Sequence, residues 1–411
     1  MRILTISSGK GGVGKTAFAI NFALKLSEYG KTLLLDLDTG TSSIRNTLKI
    51  PIKRDLYHFF RKGYSLDHCV STLDNRLDPN NRFSNFGVIA GPKRMIDEIT
   101  NLNERRRYHL IDAINSLNFK YVVLDLKAGL DANVIDFLPY SNTGIIIFTP
   151  HLPAATMAAS DLVKAVLFKK LRNIFSAGSP IFAEIGMGGD FYYQINELIN
   201  IVEDVYDEEF DNLDAFLVWL NEKLGDHRVV RLIANTVEYF RTYFVLNMFN
   251  ETKESYEKAI QPFVENIVQY VSSRINIINL GCVINSPKMH EANCNGIPVL
   301  LYDDIFKEKE KESRPMIKFK ELWKGLRYEK RGKVKIPSEY KKPDPDDQLS
   351  RQLYILKEIY TQTKDVTIEQ NFDYIIERTL FLLQGRRVSD FGDTRLFKHG
   401  EILEVLFKRG R

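Results

Sequence analysis

Short, mainly apolar runs alternate along this chain with stretches of helical spacing. Runs of strand length occur at 3–7, 33–35, 121–124, 144–148, 243–246 and 280–284. Between the first two runs, apolar residues recur at i, i+3, i+4 and i+7, at Ala19, Phe22, Ala23 and Leu26. Strands that are continuously apolar and joined by helices are typical of parallel sheets buried on both faces. The pattern therefore predicts an α/β fold with a doubly wound, mostly parallel sheet of five or more strands.

Two regions fall outside this alternation. Residues 175–240 separate two strands that a single helix would normally join, and they are acidic with helical spacing, so we predict an inserted helical subdomain. Its glycine cluster at 186–189 lacks the Gly-Lys-Thr that phosphate binding needs and predicts a turn. The predicted organisation is a sheet domain over 1–316, a basic and helical C-terminal extension over 317–395, and an amphipathic tail over 396–411.

The charges are nearly balanced overall but unevenly distributed. The chain has 57 basic and 53 acidic residues, a net charge of +4. Residues 307–342 contain 14 Lys or Arg and six Asp or Glu, a local net charge of +8 that leaves the remainder at −4. This segment is basic enough to suggest a phosphate-binding surface.

The sequence also predicts the environment of the protein. No window of about 18 uncharged apolar residues is present, so a membrane-spanning helix is not predicted. Cys69, Cys282 and Cys294 are isolated, which argues against a disulfide framework and for a reducing compartment. The first strand leads directly into a motif with no signal-peptide pattern before it, so we expect a cytoplasmic protein.

A glycine-rich loop lies between the first strand and the first helix and fits the pattern G-x-x-x-x-G-K-S/T. Its glycines allow backbone N–H groups to turn toward a phosphate, and the following helix directs its positive end at the same anion. Lys15 offers a charge to the β- and γ-phosphates, and Thr16 offers a hydroxyl to Mg²⁺. The predicted nucleotide-binding residues of this loop are Gly9, Lys10, Gly11, Gly12, Val13, Gly14, Lys15, Thr16 and Ala17.

Acidic residues follow two of the predicted strands. Asp36 and Asp38 end the second strand, and Asp125 ends the run 121–124. Because the carboxyl ends of parallel strands meet at one edge of a sheet, these carboxylates are expected beside the glycine-rich loop. Four apolar residues ending in an acid are what a Walker B strand requires, since it delivers a carboxylate to the Mg²⁺ water shell. Asp38 as a helix N-cap or turn residue is the alternative.

Lys10 makes the loop Lys-Gly-Gly-Val-Gly-Lys-Thr, the deviant Walker A form. With it the chain resembles the family of MinD, ParA and the flagellar regulator FlhG over roughly 1–175 and 240–316. The resemblance implies an ATPase with ATP and Mg²⁺ as cofactors that forms an ATP-dependent homodimer. It further implies that Lys10 reaches the partner's nucleotide, that Asp38 positions the attacking water, and that Asp36 lies near the Mg²⁺ together with Thr16 and Asp125.

The resemblance also assigns residues near the nucleotide base. It implies that Asn247 ends a strand near the base and that Asn285, Ser286 and Pro287 form the adenine loop. ATP is expected over GTP, because the Asp of the guanine pattern Asn-Lys-x-Asp is missing after Asn247. The family usually continues Asp-Thr-x-Ala-Gly after the Walker B acid, whereas this chain has Leu126 and Lys127 before Ala-Gly, a departure that bears on the hydrolysis rate.

These observations favour a spatial or assembly regulator of the flagellar-placement or division-site type. A ParA-like DNA-partition ATPase is one alternative, in which the basic segment binds DNA. A nucleotide-locked scaffold with little hydrolysis is another, because of Leu126 and Lys127. A metal-cluster carrier is disfavoured, since no cysteines are suitably paired.

The tail 396–411 has a helical apolar side and a polar side. The apolar side comprises Leu396, Ile402, Leu403, Leu406 and Phe407. MinD relatives end in a similar short helix that lies on the membrane, which here would place Lys408, Arg409 and Arg411 on anionic lipid. The alternative is a terminal helix that packs on the protein, which the acidic Glu401 and Glu404 favour.

Overall fold

The computed structural model describes most of the chain. The described residues are 1–39, 43–130, 132–139, 142–176, 179, 189–306, 334–360, 367–384, 395–398 and 401. The predicted glycine turn except Gly189, the basic residues 307–333 and the tail residues 402–411 lie outside them.

Seven strands form one sheet in this described part of the chain. They are β1 (Arg2–Ser7), β2 (Thr32–Asp36), β3 (Phe86–Ile89), β4 (Tyr121–Asp125), β5 (Asn142–Phe148), β6 (Arg241–Phe249) and β7 (Asn276–Ile284). Their order is β3-β2-β4-β1-β5-β6-β7, and every neighbouring pair is parallel. Because β1 lies inside the sheet and the chain extends from it toward both edges, the predicted doubly wound α/β fold is confirmed.

Helices cover both faces of the sheet. In the first half they are the P-loop helix (Lys15–Ser27), Ser43–Thr47, Leu56–Lys62, Asp97–Thr100, Glu104–Asn115, Ala132–Ile135 and the long helix Pro153–Ile174, with a 3₁₀ turn at Leu66–Cys69. Then follow Gly189–Glu203, Leu213–Leu224, Arg228–Glu238, Thr252–Ser255, a π-helical turn at Tyr256–Ile260, Gln261–Tyr270, Pro287–Asn295 and Val299–Phe306. The last two are the first C-terminal helix (Asp346–Tyr360) and the second C-terminal helix (Ile368–Gln384). None of the described helices is long and apolar enough to cross a membrane.

Alternating side chains of each strand enter two different hydrophobic clusters. In β4, Val122 and Leu124 belong to one cluster, whereas Tyr121 and Val123 belong to the other. Successive strand side chains point to opposite faces, so an uninterrupted apolar run is what a sheet covered on both sides requires.

The predicted inserted region is helical where it is described. Three helices between 189 and 238 lie between the long helix Pro153–Ile174 and β6. Their apolar residues, such as Ile195 and Phe216, share a cluster with Phe148 of β5 and Phe244 of β6. The limits 175–240 of a separate subdomain stay a prediction, as does the division into 1–316 and 317–395.

The two C-terminal helices cover the edge strand β7. Gln352 donates from Nε2 to the carbonyl oxygen of Ile277 at 2.9 Å, and Arg378 donates from Nη2 to that of Asn279 at 2.7 Å. An edge strand otherwise exposes unpaired backbone groups that invite pairing with other chains. These side chains therefore occupy two backbone carbonyl groups at the edge of the sheet.

A cluster of charges joins the second C-terminal helix to the P-loop helix. The Lys25 ammonium is nearly buried and lies 3.1 Å from Glu369 and 2.8 Å from Asp373. Arg82 also pairs with Glu369. Burial opposes the charge of Glu369, but the attraction of Arg82 and Lys25 outweighs it and holds the pKa of this carboxyl below its ordinary 4.5.

This lowered pKa predicts an acid-dependent loss of stability. A carboxyl whose pKa is lower in the folded state stabilises the fold above its ordinary pKa, and that contribution disappears as the pH falls through the lowered value. As the pH falls from 7 to below about 4.5, the free energy of unfolding of Glu369→Gln should therefore decrease less than that of the wild type. Urea unfolding at intervals of about one pH unit, from about pH 3 to 7, measures the free energy of unfolding of both proteins. Glu339→Gln, which changes an exposed carboxyl, is the control. Equal pH dependence in Glu369→Gln and the wild type would contradict the prediction.

Candidate nucleotide-binding site

The glycine-rich loop connects β1 to the P-loop helix, as predicted. Gly12 and Gly14 have φ angles of 84° and 79°, in the left-handed region that favours glycine. Gly9 is required for a different reason, because a Cβ there would lie 2.1 Å from the carbonyl oxygen of Ala158 in the long helix Pro153–Ile174. At Gly11 a Cβ would meet nothing within 4 Å. The close approach of the long helix thus fixes the start of the loop.

Lys15 and Asp125 form a buried ion pair at this loop. The Lys15 ammonium lies 2.5 Å from Asp125 Oδ1, with the two side chains 6% and 0% exposed. The second oxygen, Asp125 Oδ2, is buried and has no hydrogen-bond partner among the described residues. A buried carboxylate oxygen without a donor is costly, and a cation is one ligand that would satisfy it.

Asp36 lies next to Asp125, since the two residues are direct partners in the parallel pair β2–β4. It is fully buried, and it accepts bonds from the backbone N–H groups of Gly91 at 3.2 Å and Asp38 at 3.1 Å. Burial, followed by repulsion from Asp125, raises the pKa of Asp36 to about 7, although the Gly91 bond and Lys15 act in the opposite direction. In this cluster of two adjacent carboxylates and one lysine, Asp36 therefore holds its proton more readily than an ordinary carboxyl does.

The remaining predicted catalytic residues are more exposed. Lys10 is exposed on the loop, and Thr16 is half-buried in the first turn of the P-loop helix. Asp38 is half-buried and lies beyond the end of β2, which stops at Asp36. The expectation that both acids end the strand is therefore correct for Asp36 alone.

The end of β6 contacts the glycine-rich loop. Asn247 donates from Nδ2 to the carbonyl oxygen of Val13 at 2.8 Å, and a Cβ at Gly14 would lie 2.4 Å from the same nitrogen. The next residue, Met248, has a φ of 57°, at an irregularity of the β6–β7 pairing. Asn247 thus contacts the glycine-rich loop. Its position near the nucleotide base stays a prediction.

The predicted adenine loop follows β7. The Asn285 amide donates to the carbonyl oxygen of Phe249 at 2.7 Å, which places this loop beside the end of β6. Ser286 is the N-cap of helix Pro287–Asn295, where its hydroxyl accepts from the Lys288 amide at 3.3 Å. All three loop residues lie at the carboxyl edge of the sheet, and their role toward adenine stays a prediction.

The segment after Asp125 is bound to β1 and the loop. Leu126 is buried, and its amide donates to the carbonyl oxygen of Ile6 at 3.0 Å. The Gly129 amide donates to that of Ser8 at 2.9 Å. Leu126 therefore fills a core position, which accounts for an apolar residue there.

Sequence reasoning missed three contributors to the site. Ala158 approaches Gly9, Gly91 bonds to Asp36, and Arg45 bonds to Gly91. Gly91 lies in a stretch that fits the family pattern, but its contact with Asp36 had no local signal. Ala158 also lies in a stretch that fits the family pattern, again without a signal for its contact, whereas Arg45 belongs to no motif.

A parallel sheet with this loop after β1, and acids at the ends of β2 and β4, defines a domain of the P-loop nucleotide-binding class. The profile of the AAA domain family matches residues 1–174. The resemblance to the MinD/ParA family of P-loop ATPases is confirmed over this part of the chain. That part includes the predicted phosphate-binding residues and the three site acids, but not Asn247 or the adenine loop.

Several known proteins are similar to the chain. The MinD-type septum site-determining protein of Chlorella vulgaris is 29% identical over 154 residues, which cover 37% of this chain and 52% of that protein. Septum site-determining protein MinD of Escherichia coli K12 is 27% identical over 182 residues, covering 44% and 64%. The structure of Pyrococcus horikoshii MinD complexed with Mg-ADP has 14% identity and a TM-score of 0.43, covering 74% and 89%. The chain spans about half the length of the first curated relatives that it matches, 52% and 48%.

Proposed function

We propose that this protein binds ATP with Mg²⁺, hydrolyses it, and dimerises in the ATP-bound form as a spatial or assembly switch of the MinD/FlhG type. The observation that carries the proposal is the buried cluster of Lys15, Asp36 and Asp125 at a glycine-rich loop whose other lysine, Lys10, is exposed. A buried lysine serves its own site, whereas an exposed one is available to a second molecule.

The donor set fits Mg²⁺. Within the described part of the chain, Asp125 Oδ2 is a buried oxygen without a hydrogen-bond partner, and Asp36 is a second buried carboxylate beside it. Carboxylate and hydroxyl oxygens are the ligands that Mg²⁺ prefers, so Asp36, Asp125 and Thr16 would hold the ion or its water shell. When bound, the ion neutralises phosphate charge.

The chain's own residues then have distinct tasks. Lys15 exchanges its bond to Asp125 for bonds to phosphate oxygens, and Gly12 and Gly14 let backbone N–H groups point at them. Asp38 would hold the water that attacks the γ-phosphate. Lys10 contacts the nucleotide of the partner subunit, where a desolvated triphosphate makes its charge effective.

Replacing Asp38 by alanine tests turnover separately from binding. We expect Asp38→Ala to retain MgATP binding and to lose at least about 100-fold in hydrolysis rate, because only the water loses its partner. Phosphate release and calorimetric titration measure the two quantities, with the 81% exposed Asp226→Ala as control. An Asp38→Ala variant that hydrolyses ATP at the wild-type rate would refute the assigned role.

The two alternative functions predict different results. A wild-type protein that binds MgATP tightly but hardly hydrolyses it would be the nucleotide-locked scaffold. The DNA-partition alternative depends on the segment 307–342, most of which lies outside the described residues. DNA retention that weakens steeply with salt concentration would favour it.

The tail begins as a docked segment. Leu396 is buried, and both its amide and its carbonyl bond to the Asn115 side chain, at 2.8 and 2.9 Å. The Lys398 ammonium lies 2.7 Å from Asp112. The apolar residues from Ile402 onward lie outside the described residues, so the membrane contact is a proposal that concerns 402–411.

Deleting 402–411 tests this contact without removing the docked Leu396. We expect the full chain with ATP to co-sediment with vesicles that contain anionic lipid, and the shortened chain to remain in solution, because two tails in a dimer bind by avidity. The unchanged melting temperature of the shortened chain serves as control. Equal sedimentation of both proteins, or of neither, would leave packing on the protein as the role of the tail.

A further inference from the structure

The Arg45 side chain binds both the Gly91 carbonyl and the Asp55 carboxylate beside the proposed metal site. Arg45 lies on the short helix Ser43–Thr47, a few residues after Asp38, and its side chain is 19% exposed. Its Nε and Nη2 donate to the carbonyl oxygen of Gly91 at 3.2 and 3.1 Å, and Nη2 also pairs with Asp55. A guanidinium holds such a geometry because its donors form a rigid planar fork.

Gly91 in turn holds the site carboxylate. Its amide donates to Asp36 Oδ2 at 3.2 Å, while the other oxygen of Asp36 accepts from the Asp38 amide at 3.1 Å. One continuous series of contacts thus runs from Arg45 through Gly91 to Asp36 and on to the backbone of Asp38. Asp36 has Asp125 as its sheet partner, so a shift of Gly91 would move one of two adjacent buried carboxylates.

The Asp55 carboxylate, the second acceptor of Arg45, is also held in place. Asp55 is the N-cap of helix Leu56–Lys62, where it accepts from the Tyr57 amide at 3.1 Å and lies 2.8 Å from the His58 ring. The Leu56 amide donates to the carbonyl oxygen of Ala90 at 3.1 Å, which ties this helix to the chain just before Gly91. Arg45 therefore has little freedom to move independently of the site.

We propose that Arg45 is a positioning residue that fixes Asp36 through Gly91, and through Asp36 the backbone of Asp38, for metal binding and water attack. The inference rests on the proposed function, since it concerns the same site. Groups that orient the ligands of a metal affect metal affinity and rate without touching substrate. This series of contacts does not include Lys15, so the proposed binding of phosphate by Lys15 should not depend on Arg45.

The test compares Arg45→Lys and Arg45→Met with Arg76→Met, whose side chain is 78% exposed. In both Arg45 variants we expect kcat to fall and the half-saturating Mg²⁺ concentration to rise, each by about tenfold, because groups that orient metal ligands through hydrogen bonds have effects of this size. KM for ATP should stay within about twofold, since the glycine-rich loop is intact. Arg76→Met should match the wild type in all three quantities.

A second readout does not depend on turnover. Calorimetric titration of ADP with and without Mg²⁺ should show that Arg45→Lys loses about tenfold of the ADP affinity gained from Mg²⁺ but keeps the Mg²⁺-independent affinity. Wild-type kcat and wild-type Mg²⁺ dependence in Arg45→Lys would overturn the inference, whatever its melting temperature. A wild-type protein that binds ADP with Mg²⁺ but does not hydrolyse ATP would overturn only the proposed hydrolysis. The ADP titration of Arg45→Lys would then decide the role of Arg45. A wild-type protein that binds no nucleotide would overturn both.

Discussion

Replacing Lys15 by alanine is expected to abolish detectable MgATP binding. The ammonium is the single buried lysine charge at the predicted phosphate site in the described chain, and charge-assisted bonds to phosphate are among the strongest that a side chain makes. The variant should also lose about 3 kcal/mol of its free energy of unfolding, because Asp125 is left buried without its partner beside Asp36. Calorimetric titration and urea unfolding measure the two effects.

Lys10→Ala is the matched control, since it removes the same charge from an exposed position of the same loop. It should keep wild-type nucleotide affinity in the monomer and wild-type stability. Tight MgATP binding by folded Lys15→Ala would mean that the glycine-rich loop is a structural turn.

Gly9→Ala should have the second large effect. The new Cβ would lie 2.1 Å from the carbonyl oxygen of Ala158, a backbone atom within a long helix, so the loop or the helix must move. Overpacking of this kind costs about 1 to 3 kcal/mol and occasionally more, and the displaced loop should bind nucleotide poorly. Thermal unfolding without nucleotide and a nucleotide titration measure both consequences.

Gly11→Ala supplies the comparison, because a Cβ there meets nothing within 4 Å. Without nucleotide it should unfold at the wild-type temperature. If Gly9→Ala were as stable as Gly11→Ala, the close packing of the long helix on the loop would be incorrect.

Sequence patterns predicted the local parts of this molecule well. The run 121–124 corresponds to β4, and the glycine-rich loop lies where its motif requires, because both depend on neighbouring residues. β3 was missed, since its four residues include Gly87 and offer too short an apolar run. The charge pairing of Lys15 with Asp125 follows only once β1 and β4 are known to be adjacent.

Long-range contacts made by single polar side chains could not be predicted. The C-terminal helices were expected, but their bonds to the backbone of β7 join residues about 75 to 100 positions apart. Arg45 has no motif around it, and its contact with Gly91 spans 46 positions. Such contacts depend on the folded arrangement and leave no periodic pattern in the sequence.

The proposed switch requires ATP-dependent dimerisation through Lys10. Light scattering of Asp38→Ala tests it most directly, because slow hydrolysis should preserve the ATP-bound form. The measured mass of Asp38→Ala should be that of a dimer with MgATP and that of a monomer with MgADP. The double variant Asp38→Ala, Lys10→Ala should have the mass of a monomer with either nucleotide, at equal saturation. A monomeric Asp38→Ala at saturating MgATP, or a double variant that dimerises as fully, would contradict the account.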